Sequence, residues 1–143
     1  MPAIDVVSDA SVVLKWFHGE GEEEVEPARA LLEQYGRQVI GLQVLDLTPY
    51  EVGNALLRGR ASVTADRVAV VLEALSGICP QVSPTIGELR EAATLAELHG
   101  LTIYDAAYAA VASARGAELA TLDHALLKSG LGRRPSAVLA GLT

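Results

Sequence analysis

The chain has 143 residues, a formal net charge of -7, and 50% hydrophobic against 20% charged residues. This length fits one domain, which we predict to span residues 1–143, and the composition is that of a globular rather than a disordered chain. The negative charge argues against indiscriminate binding to nucleic acid, so a nucleic-acid substrate would need a local basic rim or bound metal ions. The lone cysteine, Cys79, excludes an internal disulfide and a multi-cysteine zinc site.

Signals for export and for membrane insertion are not visible in the sequence. No basic segment followed by an apolar run stands at the N-terminus, and no apolar stretch approaches the roughly 20 residues of a membrane span. We therefore expect a cytoplasmic protein without a membrane partner, and the single cysteine fits a reducing compartment.

Strands and helices alternate in the predicted order of elements. Ile4, Val6 and Val7 indicate a short buried strand, and the residues from Val12 to Phe17 then take helical spacing. Further strands are predicted at 38–45, around 80–83, at 117–122 and at 137–139, and further helices at 22–35, 48–57, 64–75, 85–98, 101–115 and 124–127. Such alternation predicts an α/β fold with a short, mainly parallel sheet.

The helix predicted at 64–75 is unusually apolar. One face carries Val68, Val71, Leu72 and Leu75, and Ala69 and Val70 widen it. We expect this helix to be covered both by its own core and by another subunit, and we therefore predict a homodimer.

Two segments have the sequence of a capping box, Thr48–Glu51 and Thr85–Glu88. The first box gives Glu51 a purely structural explanation. Asp9 lies where the first strand passes into the first helix, so it could serve as an N-cap without any chemistry. The carboxyl end of a strand is also where open α/β sheets bind ligands, and both explanations of Asp9 stay open at this point.

Four acids stand beside strongly apolar or small residues: Asp9, Glu51, Asp105 and Asp123. Asp and Glu are rarely buried unless they are paired or bound to metal, so such a set calls for a shared cation. A set of oxygen ligands favours Mg²⁺ or Mn²⁺ over zinc. Periodicity does not show that the four acids meet. It places Asp9 and Asp123 at strand ends, and Glu51 and Asp105 at helix starts.

Four short motifs follow one another in the chain: Asp9–Ser11 after a strand, Tyr50–Leu56, Ile103–Tyr108 and Ala120–Asp123. In sequence and in order they resemble the PIN-domain ribonucleases, and among these most closely the VapC toxins of bacterial toxin–antitoxin pairs. The resemblance extends over nearly the whole chain. The chain departs from the family after Asp123, where it has Leu126 and Leu127 at a place where members often carry an aromatic residue.

The resemblance implies a PIN fold, with helices on both faces of the sheet and an acidic pocket at the carboxyl ends of the strands. It implies a metal-dependent endoribonuclease that hydrolyses RNA and is inhibited by a VapB-like antitoxin. The catalytic residues would be the four acids Asp9, Glu51, Asp105 and Asp123, which would bind Mg²⁺ or Mn²⁺, together with Ser11 and Thr121, whose hydroxyls would orient carboxylates or water. Basic residues that could line a substrate path are Lys15, Arg58, Arg60, Arg133 and Arg134.

Two alternatives stay open. An acid-cluster phosphatase of the haloacid dehalogenase type would need a second Asp two residues after the first, and this chain has Ser11 there. A non-catalytic PIN-like binding module would use the same carboxylates for helix caps and dimer contacts.

Overall fold

The computed structural model describes residues 2–59 and 63–142 of the protein. Its strands are β1 (Ile4–Ser8), β2 (Ile40–Leu45), β3 (Gln81–Val82) and β4 (Glu118–Ala120). Its helices are α1 (Ala10–Phe17), α2 (Val25–Gly36), α3 (Thr48–Arg58), α4 (Ala65–Ile78), α5 (Ile86–His99), α6 (Ile103–Ala114), α7 (His124–Lys128) and α8 (Pro135–Ala140). The predicted alternation of strands and helices is confirmed.

The four strands form a parallel sheet in the order β3-β2-β1-β4. Val6 in β1 lies opposite Leu42 of β2 on one side and Glu118 of β4 on the other. The chain therefore leaves β1 towards one edge and later returns to its other side. In open α/β sheets a crevice forms at the carboxyl ends of the strands where the order reverses in this way. Asp9 follows β1 at that point.

Helices cover both faces of the sheet, as predicted, because successive strand residues point to opposite sides. On one face Val6 packs with buried residues of the first four helices, among them Val12, Leu31, Val52 and Leu75. On the other face Val7 packs with α6 and α7, through residues that include Ala106, Ala110, Val111 and Leu126. The prediction of an α/β fold with a short parallel sheet between two helical layers is confirmed.

Helix α6 passes through the second of these layers with seven consecutive buried residues, from Ala106 to Ala112. Five of the seven are alanine, and these small side chains let the backbones of β1, β4 and α5 approach closely. Tyr108 is the one large polar side chain in this run, and it is only 1% exposed. A buried tyrosine hydroxyl requires a hydrogen-bond partner.

One of the two predicted capping boxes is confirmed and the other is wrong. In α5 the Glu88 N–H donates to Thr85 Oγ1 (3.1 Å), and Glu88 Oε1 accepts from the Thr85 N–H (2.8 Å). In α3 the N-cap is Leu47, and Thr48 is already the first helical residue. Its hydroxyl accepts from the Leu45 N–H (3.1 Å) at the end of β2, so it is not available to cap α3. Glu51 therefore has no capping role.

The strand predicted at 137–139 is also wrong, because these residues belong to helix α8. Pro135 starts that helix at a position where its missing N–H costs no hydrogen bond. The extended pairing at this edge is made earlier by Arg133, which donates its N–H to the Leu119 carbonyl and accepts from the Thr121 N–H (both 2.9 Å). Three apolar residues in a row fit a strand and a short helix equally well.

Helix boundaries differ from the predictions at α2 and α4. Helix α2 begins at Val25 rather than at residue 22, so the acidic run before it lies in a loop, where Glu22 pairs with Lys15. Helix α4 continues to Ile78. Its inner stripe packs on α3, but Val70 is 64% exposed, and the second subunit expected on this surface stays a prediction.

The longest described helices, α4 and α5, have 14 residues each. Within residues 2–59 and 63–142, none of the helices has the length and hydropathy that a membrane crossing requires.

Candidate active site

The four acids singled out in the sequence line one pocket of about 240 Å³ beside the carboxyl end of β1. Each of them stands at the N-terminal end of a helix: Asp9 caps α1, Glu51 and Asp105 lie in the first turns of α3 and α6, and Asp123 caps α7. Helix N-termini carry a partial positive charge, which favours carboxylates at these positions. The convergence of these helices at one place could not be read from the sequence.

Asp9 is the most buried of the four acids, with 3% of its surface exposed. Its carboxylate accepts hydrogen bonds from the Ser11 hydroxyl, the Thr121 hydroxyl and the Val12 N–H (3.3 Å). The bond to Val12 is an N-cap, so Asp9 both caps α1 and faces the pocket.

Both hydroxyls on Asp9 are themselves fixed by backbone groups. The Leu122 N–H donates to Ser11 Oγ (2.8 Å), and the Asp123 N–H donates to Thr121 Oγ1 (2.9 Å). Each hydroxyl therefore accepts from the segment after β4 and directs its single proton to Asp9. This arrangement joins the ends of β1 and β4 and holds the Asp9 carboxylate in one orientation.

Glu51 is half-buried, and its Oε1 accepts from the Tyr108 hydroxyl (2.7 Å). Asp105 and Asp123 are also half-buried. The Asp105 N–H donates to the N-cap Thr102 (3.1 Å), and Asp123 Oδ2 accepts from the Leu126 N–H (3.0 Å). Hydrogen bonds from the chain thus position the carboxylates of Asp9, Glu51 and Asp123 without neutralising them.

Burial and mutual repulsion raise the proton affinity of this cluster. Burial raises the pKa of Asp9 to about 6, and hydrogen bonds from Ser11, Thr121 and Val12 only partly oppose it. Burial also raises the pKa of Glu51, with the charges of Asp105 and Asp123 adding to the effect against the Tyr108 hydrogen bond. The pKa of Asp105 is raised by burial and by the charge of Asp123.

No positive side chain compensates this cluster in the part of the chain that the structure describes, since none of the four acids forms an ion pair there. Glu51 Oε2 and Asp123 Oδ1 also accept no hydrogen bond within residues 2–59 and 63–142. Half-buried, unpaired carboxylates with open oxygens fit a hard divalent cation such as Mg²⁺ or Mn²⁺. As the side chains stand in these residues, however, no three acidic, His or Cys groups are close enough to hold an ion. Binding would need the half-buried acids to draw together.

The basic residues considered for a substrate path are distributed unevenly. Lys15 and Arg134 line a shallow pocket next to Leu122, and Arg133 pairs with Glu118 (3.4 Å). Arg58 is exposed at the end of α3, and Arg60 lies outside the described residues. None of these basic residues that the structure describes lines the acidic pocket itself, and Lys15 also pairs with Glu22.

The sequence did not predict that Thr48 and Tyr108 take part in the site. Tyr108 donates a hydrogen bond to Glu51, and Thr48 is hydrogen-bonded to Tyr108. Tyr108 lies three residues after Asp105 on α6, and this spacing places both side chains on one face of the helix. A tyrosine inside an alanine-rich buried helix was the available signal. Leu126 and Leu127, where an aromatic residue was expected, do not line the pocket, and Leu126 is fully buried in the core.

Residues 6–129 match the PIN domain family, so the chain belongs to that family. Within it the chain resembles the VapC ribonucleases. It is 35% identical over 125 residues to Ribonuclease VapC3 of Pyrobaculum aerophilum, covering 85% of this chain and 91% of that protein.

Solved structures agree with this assignment. The crystal structure of PAE2754 from Pyrobaculum aerophilum has a TM-score of 0.66 and 29% identity, covering 98% of this chain and 96% of that one. The structure of VapBC2 from Rickettsia felis, bound to a DNA fragment from its promoter, has a TM-score of 0.65 over 90% of this chain and 96% of that one. At 13% identity, the latter likeness supports the fold alone.

Proposed function

We propose that this VapC-type ribonuclease is a metal-dependent endoribonuclease, the toxin of a toxin–antitoxin pair, which hydrolyses RNA phosphodiester bonds with Mg²⁺ or Mn²⁺ bound by carboxylates. The observation that carries the proposal is the acidic pocket itself. Four carboxylates from four helix starts face one pocket, the pKa of three of them is raised, and the described chain supplies no cation. Perturbed acids in a cleft are typical of catalytic sites.

The surroundings of each residue indicate its role in the proposed reaction. Asp9, Glu51, Asp105 and Asp123 would hold the ion, and Ser11 and Thr121 would keep Asp9 ionised and oriented through their donated protons. A bound Mg²⁺ or Mn²⁺ would neutralise charge on the scissile phosphate and lower the pKa of a water molecule. The carboxylates would exclude the phosphate from the pocket until that charge is neutralised.

The alternatives receive less support. A non-catalytic module would employ the acids as caps, but Glu51 caps no helix and is instead held by a buried tyrosine. The phosphatase alternative gains nothing from the family match, and Ser11 donates to Asp9 at the position where that chemistry needs a carboxylate.

Three further parts of the proposal concern the surroundings of the protein. A VapB-like antitoxin would inhibit the site, because an arginine from a partner could pair with the carboxylates in place of metal. A homodimer would cover the outer face of α4, where Val70 is 64% exposed, as the sequence predicts. The protein would act in the cytoplasm, where RNA is accessible to it.

Replacement of Glu51 by Gln tests the catalytic assignment. Gln keeps the shape and the oxygen that accepts from Tyr108, so Glu51→Gln should fold normally. It removes one negative charge from the proposed metal site, and RNA cleavage should fall by roughly 100-fold or more. The measurement is the initial rate on total RNA in Mn²⁺. Glu91→Gln, the same change at an exposed position of α5, is the control and should cleave at the wild-type rate. Equal rates for both variants would remove Glu51 from the site.

A further inference from the structure

A chain of hydrogen bonds runs from the end of β2 to Glu51 and passes through Tyr108. The Leu45 N–H donates to Thr48 Oγ1 (3.1 Å), Thr48 Oγ1 lies 2.6 Å from Tyr108 Oη, and Tyr108 Oη donates to Glu51 Oε1 (2.7 Å). Thr48 is fully buried and Tyr108 nearly so. The chain joins two neighbouring elements, β2 and α3, to the distant helix α6.

The direction of each proton in this chain follows from the groups at its two ends. The ionised Glu51 carboxylate can only accept, so the single hydroxyl proton of Tyr108 points to it. Tyr108 Oη must then accept from Thr48, and Thr48 Oγ1 in turn accepts from the Leu45 N–H. All the bonds point one way, and bonds aligned in this manner strengthen one another in a buried setting.

We propose that Tyr108, supported by Thr48, is a positioning residue that fixes Glu51 Oε1 and so leaves Oε2 as the oxygen that Glu51 offers to a divalent cation. The inference rests on the proposed metal-dependent function and deepens it. Tyr108 also stands one helical turn after Asp105, so the same helix that carries one acid holds the other in place.

The need for such support follows from the charges in the pocket. Asp105 and Asp123 both repel Glu51, and the described chain provides it with no cationic partner. A half-buried glutamate with three rotatable bonds would otherwise turn away to solvent. The Tyr108 hydroxyl opposes this, and the aromatic ring, locked by its alanine neighbours, cannot follow the carboxylate outward.

The experiment is a direct titration of the purified, metal-stripped protein with Mn²⁺, followed by calorimetry or by the electron paramagnetic resonance of free Mn²⁺. Tyr108→Phe removes only the hydroxyl and should weaken Mn²⁺ binding by about 10- to 100-fold, as is typical when a residue supporting a ligand is lost. Tyr35→Phe makes the same change at a half-buried tyrosine of α2 and should bind Mn²⁺ like wild type.

A double-substitution cycle separates positioning through Glu51 from a general loss of structure. If Tyr108 acts through Glu51, adding Tyr108→Phe to Glu51→Gln should change Mn²⁺ affinity by less than about twofold. Thermal melts verify folding. Should Tyr108→Phe not fold, the pair Thr48→Val and Thr48→Ser replaces it. Valine removes the hydroxyl that supports Tyr108 and serine keeps it, so only Thr48→Val should weaken Mn²⁺ binding.

The outcomes are distinct for the inference and for the function on which it rests. Wild-type Mn²⁺ affinity in Tyr108→Phe, or an undiminished effect of that change in the Glu51→Gln background, overturns the positioning role and leaves the nuclease proposal standing. A wild-type protein that binds no Mn²⁺ overturns both.

Discussion

Asp9→Asn is expected to fold like wild type and to lose RNA cleavage by roughly 1,000-fold, because several kcal/mol of metal-assisted catalysis depend on this carboxylate. Asparagine keeps the shape and an oxygen that can accept from the Val12 N–H, so the cap of α1 survives. The Ser11 hydroxyl can go on donating to that same oxygen, and the Thr121 hydroxyl can rotate to accept from the new amide nitrogen. What disappears is the negative charge at the most buried position of the pocket.

The measurement is the initial rate of RNA cleavage in Mn²⁺, with a melting curve for each protein. Asp5→Asn is the matched control, since Asp5 is an exposed acid of β1, the strand that leads to Asp9, and should tolerate the change. A cleavage rate for Asp9→Asn within a few-fold of the control would show that Asp9 only caps α1.

The second large effect concerns the stability of the metal-free protein between pH 4 and pH 6. The pKa of Asp9 is 3.8 in its ordinary setting and about 6 in the fold, so the folded state binds the proton more tightly. The stability gained from this tighter proton binding is fully present below the pKa of Asp9 in the unfolded chain. It is lost as the pH rises through the pKa of Asp9 in the folded protein. The free energy of unfolding should therefore fall by roughly 2 kcal/mol from pH 4 to pH 6, out of roughly 3 kcal/mol for the whole shift.

At lower pH, Glu88 makes the free energy of unfolding rise with pH, opposite to the effect of Asp9. Its two hydrogen bonds from the Arg115 guanidinium (both 3.0 Å) lower the pKa of Glu88 to about 2. Stability from this pair is present above pH 4.5 and is lost as the pH falls through 2. Together the two groups predict a stability maximum between about pH 4 and pH 5.

Denaturant unfolding in EDTA across this pH range tests both slopes. In Asp9→Asn the free energy of unfolding should decline less above pH 4 than in wild type. In Glu88→Gln it should fall less as the pH drops below 4, and its decline above pH 4 should be unchanged. Stability of wild type that rises steadily from pH 4 to pH 7 would contradict the raised proton affinity of the pocket.

Local sequence patterns predicted the junctions between strands and helices and the order of these elements. Asp9 and Asp123 were predictable as junction residues, since a run of buried apolar residues precedes each and helical spacing follows. The alternation of elements and the small side chains of α6 likewise predicted a parallel sheet with a deeply placed helix. The meeting of the four acids came from the resemblance to a family, because nothing local encodes which strand ends become neighbours.

The features that the sequence predicted wrongly depend on contacts with other parts of the chain. The Thr48 hydroxyl fits a capping box by sequence, but Leu45 and Tyr108 occupy it, and Tyr108 is 60 residues away. The segment 137–139 could form either structure, and Pro135 together with the earlier pairing of Arg133 decided for a helix. Both errors arose where tertiary contacts outweigh a local preference.

The most direct test of the central claim is cleavage of total RNA by the wild-type protein, alone and with each divalent ion. Asp9→Asn purified in parallel measures contaminating nuclease. Metal-stripped protein in EDTA should leave the RNA intact, and Mn²⁺ or Mg²⁺ should restore cleavage at defined internal sites that the Asp9→Asn sample lacks. Cleavage that proceeds equally in EDTA, or that Asp9→Asn reproduces, would contradict the assignment of this acidic pocket as a metal-dependent nuclease site.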